Sequence, residues 1–210
     1  MAIVCEGCGG YIQPLVDTDA QAIRCPDCGH REPMRILPLF IVTGASGAGK
    51  TAVVRELRRL LPEWEIFETD VIWGADWQQV RNNWLRIAHS IAQSGRPTLL
   101  CGMMLPEDID RCDHRPFFRQ VYYLNLHCDD PTRAARLRAR PAWRGCTEAF
   151  LAEQQQFAHW LLEHAETAFD PPLRTLDTTQ TPVSAVACQI RDWALERWHG
   201  EPLKSGSGGG

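Results

Sequence analysis

The spacing of apolar positions changes at about residue 35. Before that point, short apolar pairs are interrupted by glycines and by four cysteines. After it, unbroken apolar runs alternate with segments in which apolar residues recur every three to four positions. Unbroken runs are typical of strands buried on both faces, and the second spacing is typical of amphipathic helices. The pattern predicts a small unit over residues 1–34 and a larger one over 35–200.

The larger unit contains five segments with strand character. They are residues 36–43, 65–69, 98–101, 121–126 and 173–176. Helices are predicted to end near residues 61 and 94, to begin after Asp129, to span 147–168, and to follow 183. Strands separated by helices predict an α/β fold whose parallel sheet is covered on both faces.

Composition is that of an ordinary soluble globular protein. The 210 residues are 44% hydrophobic and 23% charged, with a formal net charge of −4. No global positive field indicates a nucleic acid or a membrane surface, and no apolar run approaches the roughly 18 residues that span a bilayer. Residues 201–210 are rich in glycine and serine, and we interpret them as a flexible tail or an added linker.

A glycine-rich segment directly follows the first predicted strand. It fits the phosphate-binding pattern G-x-x-x-x-G-K-[ST] in full and lies between a strand and a helix, as a P-loop requires. Its residues are Gly44, Ala45, Ser46, Gly47, Ala48, Gly49, Lys50 and Thr51. Backbone N–H groups of such a loop surround phosphate oxygens at a helix N-terminus. We predict that Lys50 reaches the β- and γ-phosphates of ATP or GTP, and that the Thr51 hydroxyl ligates Mg²⁺.

Two acids, Glu68 and Asp70, follow the second predicted strand. Ligands of open parallel sheets bind beyond the carboxyl ends of the strands, so these side chains are candidates for chemistry. One acid could lie near Mg²⁺ while the other accepts a proton from a substrate hydroxyl. The alternative is that one of them only caps the next helix.

Arginines are concentrated after the fourth predicted strand. Arg136 and Arg140 are four positions apart and share a helix face, and Arg144 follows in an irregular segment. Arginines on a lid can neutralise charge on a transferred phosphoryl group, and we predict this role for all three. A solvated helix face is the simpler explanation for Arg133 or Arg138.

Together these features resemble the small P-loop kinases, which include shikimate, gluconate and nucleoside monophosphate kinases. The resemblance covers about residues 36–198 and rests on the P-loop, the acidic pair and the arginine-rich segment. It implies a five-stranded parallel sheet in the order 2-3-1-4-5 and transfer of the γ-phosphoryl group of ATP to a small acceptor. It further implies that Glu68 approaches metal-bound water, that Asp70 orients the acceptor hydroxyl, and that the segment containing Thr178 and Pro182 holds adenine.

The segment after the third predicted strand departs from the shikimate kinase pattern. The expected run of glycines is reduced to Gly102, so shikimate is not the expected acceptor. Met103 and Met104 follow, and with Trp73 they suggest an apolar or aromatic acceptor such as a nucleoside. The two methionines could equally belong to the core, because methionine often fills gaps there.

Four cysteines dominate the small unit: Cys5, Cys8, Cys25 and Cys28. Two Cys-x-x-Cys pairs at this separation are typical of a zinc ribbon, in which Zn²⁺ supplies folding free energy that so short a segment lacks. A redox dithiol or an iron–sulfur site is the alternative, although neither pair stands at the strand–helix junction of a thioredoxin-like unit. The other five of the nine cysteines stand singly, which favours reduced thiols and a cytoplasmic protein.

Three functions follow from the sequence. The leading one is an ATP-dependent phosphotransferase with a small-molecule acceptor, such as a nucleoside, nucleotide or metabolite. The second is a polynucleotide 5′-hydroxyl kinase whose zinc ribbon helps to hold RNA or DNA. The third is a nucleotide-dependent regulatory switch whose ribbon binds a protein partner. The acidic pair and the arginines favour transfer, because a switch needs no acceptor site.

Overall fold

The computed structural model describes residues 3–72, 74, 76–141 and 145–198. Trp73, Arg144 and the predicted tail at 201–210 lie outside this range. The first part of the chain forms five short antiparallel strands in two small sheets. They are β1 (Ile3–Val4) paired with β2 (Tyr11–Ile12), and β3 (Leu15–Asp17), β4 (Ala22–Arg24) and β5 (Arg31–Pro33) in sequence.

The rest of the described chain is built on a five-stranded parallel sheet. Its strands are β6 (Leu39–Thr43), β7 (Glu65–Glu68), β8 (Thr98–Cys101), β9 (Val121–His127) and β10 (Arg174–Asp177). They are arranged in the order β7-β8-β6-β9-β10, which is the predicted order 2-3-1-4-5. Every residue of the central strand β6 is buried, as its unbroken apolar sequence predicts.

The described residues also contain six α-helices. They are α1 (Lys50–Leu60), α2 (Trp77–Gln93), α3 (Pro106–Asp110), α4 (Asp130–Arg138), α5 (Glu148–Glu163) and α6 (Val183–Trp198). Three of the helices have a side-chain N-cap, which accepts hydrogen bonds from backbone N–H groups of the first turn. The capping residues are Asp76 for α2, Asp129 for α4 and Thr147 for α5. Among the described residues, no helix is long and apolar enough to cross a membrane.

Helix α5 ends at Glu163, earlier than residue 168, where the sequence pattern predicted its end. Past the helix, the Ala165 carbonyl accepts a hydrogen bond from the N–H of Leu173, just before β10, at 2.8 Å. Phe169 is buried there, with its ring 5.3 Å from that of Tyr123. The segment thus leaves the helix in order to fill the core and lead into the last strand.

The sheet has an apolar layer on each face. On one side, Phe40 packs against Trp64 and Trp193, with ring centroids 4.8 and 5.7 Å away. On the other, α2 and α5 cover the sheet, and Trp84 is fully buried. The carboxyl ends of the strands therefore project from a rigid two-sided core, and the loops that follow them are positioned by it.

Candidate active site

The glycine-rich loop between β6 and α1 is held between β9 and α4. Gly44 and Gly47 have φ angles of 139° and 89°, a region that residues with a Cβ rarely adopt. A Cβ on Gly44 would overlap the Leu126 carbonyl of β9, and one on Gly47 would lie 3.0 Å from Cγ of Arg133 on α4. The glycines therefore allow both the left-handed turn and the close packing that fixes the loop.

Lys50, the first residue of α1, lies against this loop. Its ammonium donates hydrogen bonds to the carbonyl oxygens of Gly44 and Ala45, the latter at 3.0 Å. Burial lowers the pKa of Lys50 to about 8, although the nearby carboxylate of Asp70 acts in the opposite direction. The ammonium thus lies where phosphate oxygens bind in such loops. Because it is buried, its positive charge is costly unless an anion lies nearby.

Thr51 and Glu68 are brought into contact, as their predicted shared role requires. The Thr51 hydroxyl donates a hydrogen bond to the Glu68 carboxylate, which ends β7. A hydroxyl and a carboxylate are hard oxygen ligands of the kind that Mg²⁺ prefers. The donor set therefore fits the predicted magnesium site.

Asp70 lies in a one-turn 3₁₀ helix, Thr69–Val71, directly after β7. It does not cap the next α-helix, because Asp76 accepts the N–H bonds at the start of α2, and Glu68 makes no side-chain cap bond to the 3₁₀ turn. The helix-cap alternative is thus not what the structure shows. Asp70 is exposed and lines the same cleft as Lys50.

The turn that carries Asp70 is fixed by Gly102 at the end of β8. A Cβ on Gly102 would overlap the Thr69 hydroxyl. The Thr69 carbonyl also accepts a hydrogen bond of 3.1 Å from the indole N–H of Trp84 in the core. Asp70 therefore stands on a turn that is packed from one side and hydrogen-bonded from another.

Arg136 connects three segments around the glycine-rich loop. Its guanidinium donates to the carbonyl oxygen of Thr178 at 2.7 Å and to that of Gly47 at 3.3 Å. The buried Thr178 hydroxyl in turn donates to the Ala48 carbonyl at 2.9 Å. Pro182 is exposed, and its carbonyl accepts a bond from the first turn of α6. Helix α4, the loop and the β10–α6 connection are thus joined by side chains.

Many of the predicted site residues line one cleft of about 210 Å³, whereas Glu68, Thr178 and Pro182 are not among its lining residues. It is lined by Ser46, Gly47, Gly49, Lys50, Thr51, Ala52, Asp70, Arg136 and Arg140. Three cationic side chains and one carboxylate thus surround the phosphate loop. Arg144, the remaining predicted lid arginine, lies outside the described residues.

Solved structures share this arrangement of strands and helices. A protein from Chloroflexus aurantiacus to which kinase activity is attributed has a TM-score of 0.53, with 20% identity over 78% of this chain and 98% of its own. A sugar kinase from Janibacter sp. has a TM-score of 0.51, with 17% identity over 77% and 95%. The fold is that of the small P-loop kinases. The sequence matches no family model and no curated protein.

From the sequence, either Arg133 or Arg138 could lie on a solvated helix face. In this P-loop kinase fold, Arg133 does not. It is 2% exposed, and its guanidinium donates to the Cys128 carbonyl and pairs with Asp130. Arg138 does face solvent, where it pairs with Glu148 at 2.9 Å. Arg133 thus braces the start of α4 against the P-loop, whereas Arg138 has the exposed position.

Gln154 of α5 belongs to the site and was not predicted from the sequence. Its side-chain carbonyl accepts a hydrogen bond of 2.8 Å from the backbone N–H of Ser46, and the residue is 3% exposed. Its helical position could have indicated that Gln154 is buried, because it lies on the same face of α5 as the buried residues Ala158 and Leu161. A polar residue on such a stripe needs a partner, which here is the P-loop.

The four amino-terminal cysteines converge as predicted. The Sγ atoms of Cys5 and Cys28 are 3.7 Å apart, and those of Cys8 and Cys25 are 3.9 Å apart. All four lie within 4.8 Å of one another. Zinc–sulfur bonds of about 2.3 Å in a tetrahedron place neighbouring sulfurs about 3.8 Å apart, so the geometry fits a four-sulfur zinc site.

Proposed function

We propose that the protein is an ATP-dependent phosphotransferase that moves the γ-phosphoryl group to a small-molecule acceptor. The observation that carries the proposal is the cleft in which Lys50, Asp70, Arg136 and Arg140 surround the P-loop. Nucleotide binding alone needs only the loop and its lysine, whereas transfer also needs a proton acceptor and charge compensation. The structural neighbours described as kinases agree with this proposal.

Each side chain has a role that its position supports. Lys50 neutralises charge on the β- and γ-phosphates, and Arg136 and Arg140 stabilise the charge of the transferred group. Asp70 orients the acceptor hydroxyl and takes its proton. Thr51 and Glu68 would hold Mg²⁺, which would supply positive charge to neutralise the phosphates.

Two further assignments complete the proposed site: the role of Arg144 rests on the arginine pattern of the sequence, and the adenine site rests on the family resemblance. Arg144 approaches the transferred group with the other two lid arginines. The connection that contains Thr178 and Pro182 holds adenine. Thr178 supports this role through its bond to the P-loop, and Pro182 through its exposed face.

We also propose that Cys5, Cys8, Cys25 and Cys28 bind one Zn²⁺. A closed site with four sulfur ligands has no open position for a substrate, so its role is structural. The proposed zinc ribbon spans residues 1–34, and the kinase-like unit spans 35–200.

Proton linkage gives a first prediction for nucleotide binding. Polyphosphate favours charged Lys50, whereas the free protein loses this proton as the pH rises through about 8. ATP affinity measured by calorimetry should weaken by up to about tenfold per pH unit above about pH 8. Lys50→Met keeps the length but not the charge, so its weaker binding should not vary in this window. An unchanged affinity of the native protein at pH 9 would contradict the assignment.

The proposed function is tested by phosphoryl transfer from γ-labelled ATP with Mg²⁺. The acceptor panel contains nucleosides, nucleotides, sugars, other small metabolites and 5′-hydroxyl oligonucleotides. Label on one small-molecule class, lost in Lys50→Ala, is the expected result. Label on the oligonucleotides alone would replace the proposal with a polynucleotide kinase. ATP binding without label on any acceptor would favour a regulatory switch.

A further inference from the structure

A second cavity, of about 440 Å³, is lined by α2, the β8–α3 loop, α3 and α5. One wall is apolar and contains Met103, Leu105, Phe157 and Trp160. The rings of Phe157 and Trp160 are nearly parallel, with an interplanar angle of 9° and centroids 6.4 Å apart. Met103 is 49% exposed, so no other part of the described chain fully covers this apolar side chain at the cavity.

Two connections place this cavity next to the phosphate cleft. Gln154 lines the cavity and binds the Ser46 N–H of the P-loop through its side-chain carbonyl. Met103 directly follows Gly102, which packs against Thr69, the residue before Asp70. The cavity thus adjoins both the loop that would hold the phosphates and the turn that carries the proposed proton acceptor.

A polar pair also lines the cavity. Arg81 of α2 and Asp108 of α3 form an ion pair of 3.0 Å, and both side chains are 18% exposed. The pair offers donor and acceptor groups beside the apolar wall. A ligand with a flat apolar body and a few polar edge atoms would satisfy both parts.

We propose that this cavity binds the phosphoryl acceptor and that the acceptor is a nucleoside. The planar base would pack on Phe157, Trp160 and Met103, and a sugar hydroxyl would reach Asp70. The volume lies within the range of about 300–1,000 Å³ typical of single-ligand sites. A sugar alone could use the polar side of the cavity but would leave hydroxyls against the apolar wall, where they lose water without gaining partners. The inference rests on the proposed transfer function for its choice of acceptor.

Binding and transfer are measured separately with the intact protein, using adenosine, guanosine, cytidine and thymidine as probes and ribose as a comparison. Calorimetry gives the nucleoside Kd without ATP, and γ-labelled ATP with Mg²⁺ gives the transfer. At least one nucleoside should bind, and Phe157→Ala should raise its Kd and KM by about 5- to 100-fold, the scale of base–aromatic stacking. ATP affinity should stay within about twofold of the native value.

Two further variants keep the test decisive. Met103→Ala removes a half-exposed side chain that belongs to neither core cluster of the parallel sheet, so a weaker nucleoside Kd in this variant reports the cavity and not misfolding. Leu162→Ala, on the exposed side of the same helix, is the control and should change nothing. Thermal unfolding is recorded for all three.

The outcomes separate this inference from the proposed function. Transfer to a ribose-like acceptor, with no nucleoside bound, would overturn the inference and leave the transferase intact. Nucleoside binding that depends on Phe157 and Met103, without any transfer, would support a nucleoside site in the cavity but overturn its role as the acceptor site together with the transferase. Nucleoside binding unaffected by both variants would place the site elsewhere and overturn the inference.

Discussion

Replacing Asp70 by asparagine is expected to lower kcat for phosphoryl transfer by about 10²- to 10⁴-fold, the usual contribution of a positioned general base. The amide keeps the shape of the side chain but cannot accept the acceptor proton. Its turn is held by Gly102 and Trp84, so the substitution should not displace the backbone. The loss should appear in kcat, with the affinity for ATP nearly unchanged at pH 7.

The choice of pH matters for this comparison. The Asp70 carboxylate raises the pKa of Lys50, so its removal lowers that pKa further and weakens ATP binding at alkaline pH. Single-turnover transfer at pH 7 with saturating ATP isolates the catalytic effect. Asp19→Asn, an exposed acid in the amino-terminal unit, is the matched control. A kcat that survives Asp70→Asn within about threefold would exclude Asp70 as the proton acceptor.

Removing zinc is expected to unfold the amino-terminal unit while leaving the parallel sheet folded. The apolar cluster of this unit consists of Cys5, Ile12 and Cys25, with Ile3 packed against it. So small a core cannot offset the conformational entropy of about thirty residues, whereas structural zinc contributes about 10–16 kcal/mol in comparable peptides. Cys25→Ser should therefore lose bound metal and expose residues 3–33 to protease.

The measurements are the zinc content of the purified protein and limited proteolysis before and after chelation. One Zn²⁺ per chain is expected for the native protein. Cys188→Ser, which alters a partly buried thiol on α6, should retain that metal. A Cys25→Ser variant with full zinc content, or a chelated protein that resists cleavage throughout, would contradict the zinc ribbon.

Much of the fold could be predicted from the sequence, because strands, helix caps and the P-loop are each recognised from residues that are close together in the chain. The strands β6 and β8 are short, fully buried and mostly apolar segments, and the P-loop pattern directly after β6 identifies the strand that leads into the phosphate-binding loop. Helix starts that have a capping side chain, such as Thr147 at α5, can also be predicted from the sequence. The end of α5 was misplaced because apolar residues near Phe169 continue a helical pattern, although they serve the core in another conformation.

The site was only partly readable, since some of its contacts join distant segments. Lys50, Thr51, Glu68 and Asp70 lie next to elements that the pattern identifies. Gln154 is 108 positions from its partner Ser46, and nothing local announces that pairing. Arg133 looked like one arginine among several, because charge patterning does not show which member of a helix is turned inward. Such residues are recognised only when the packing is known.

The contact between Gly102 and Thr69 has an evolutionary consequence. Neither residue is proposed to touch a ligand, yet the absence of a Cβ at one position makes room for the hydroxyl at the other. The two positions therefore form a single unit of selection. Among sequences descended from this one, a side chain at position 102 should occur only where position 69 has a smaller residue than threonine. Substitutions at the two positions should therefore be correlated.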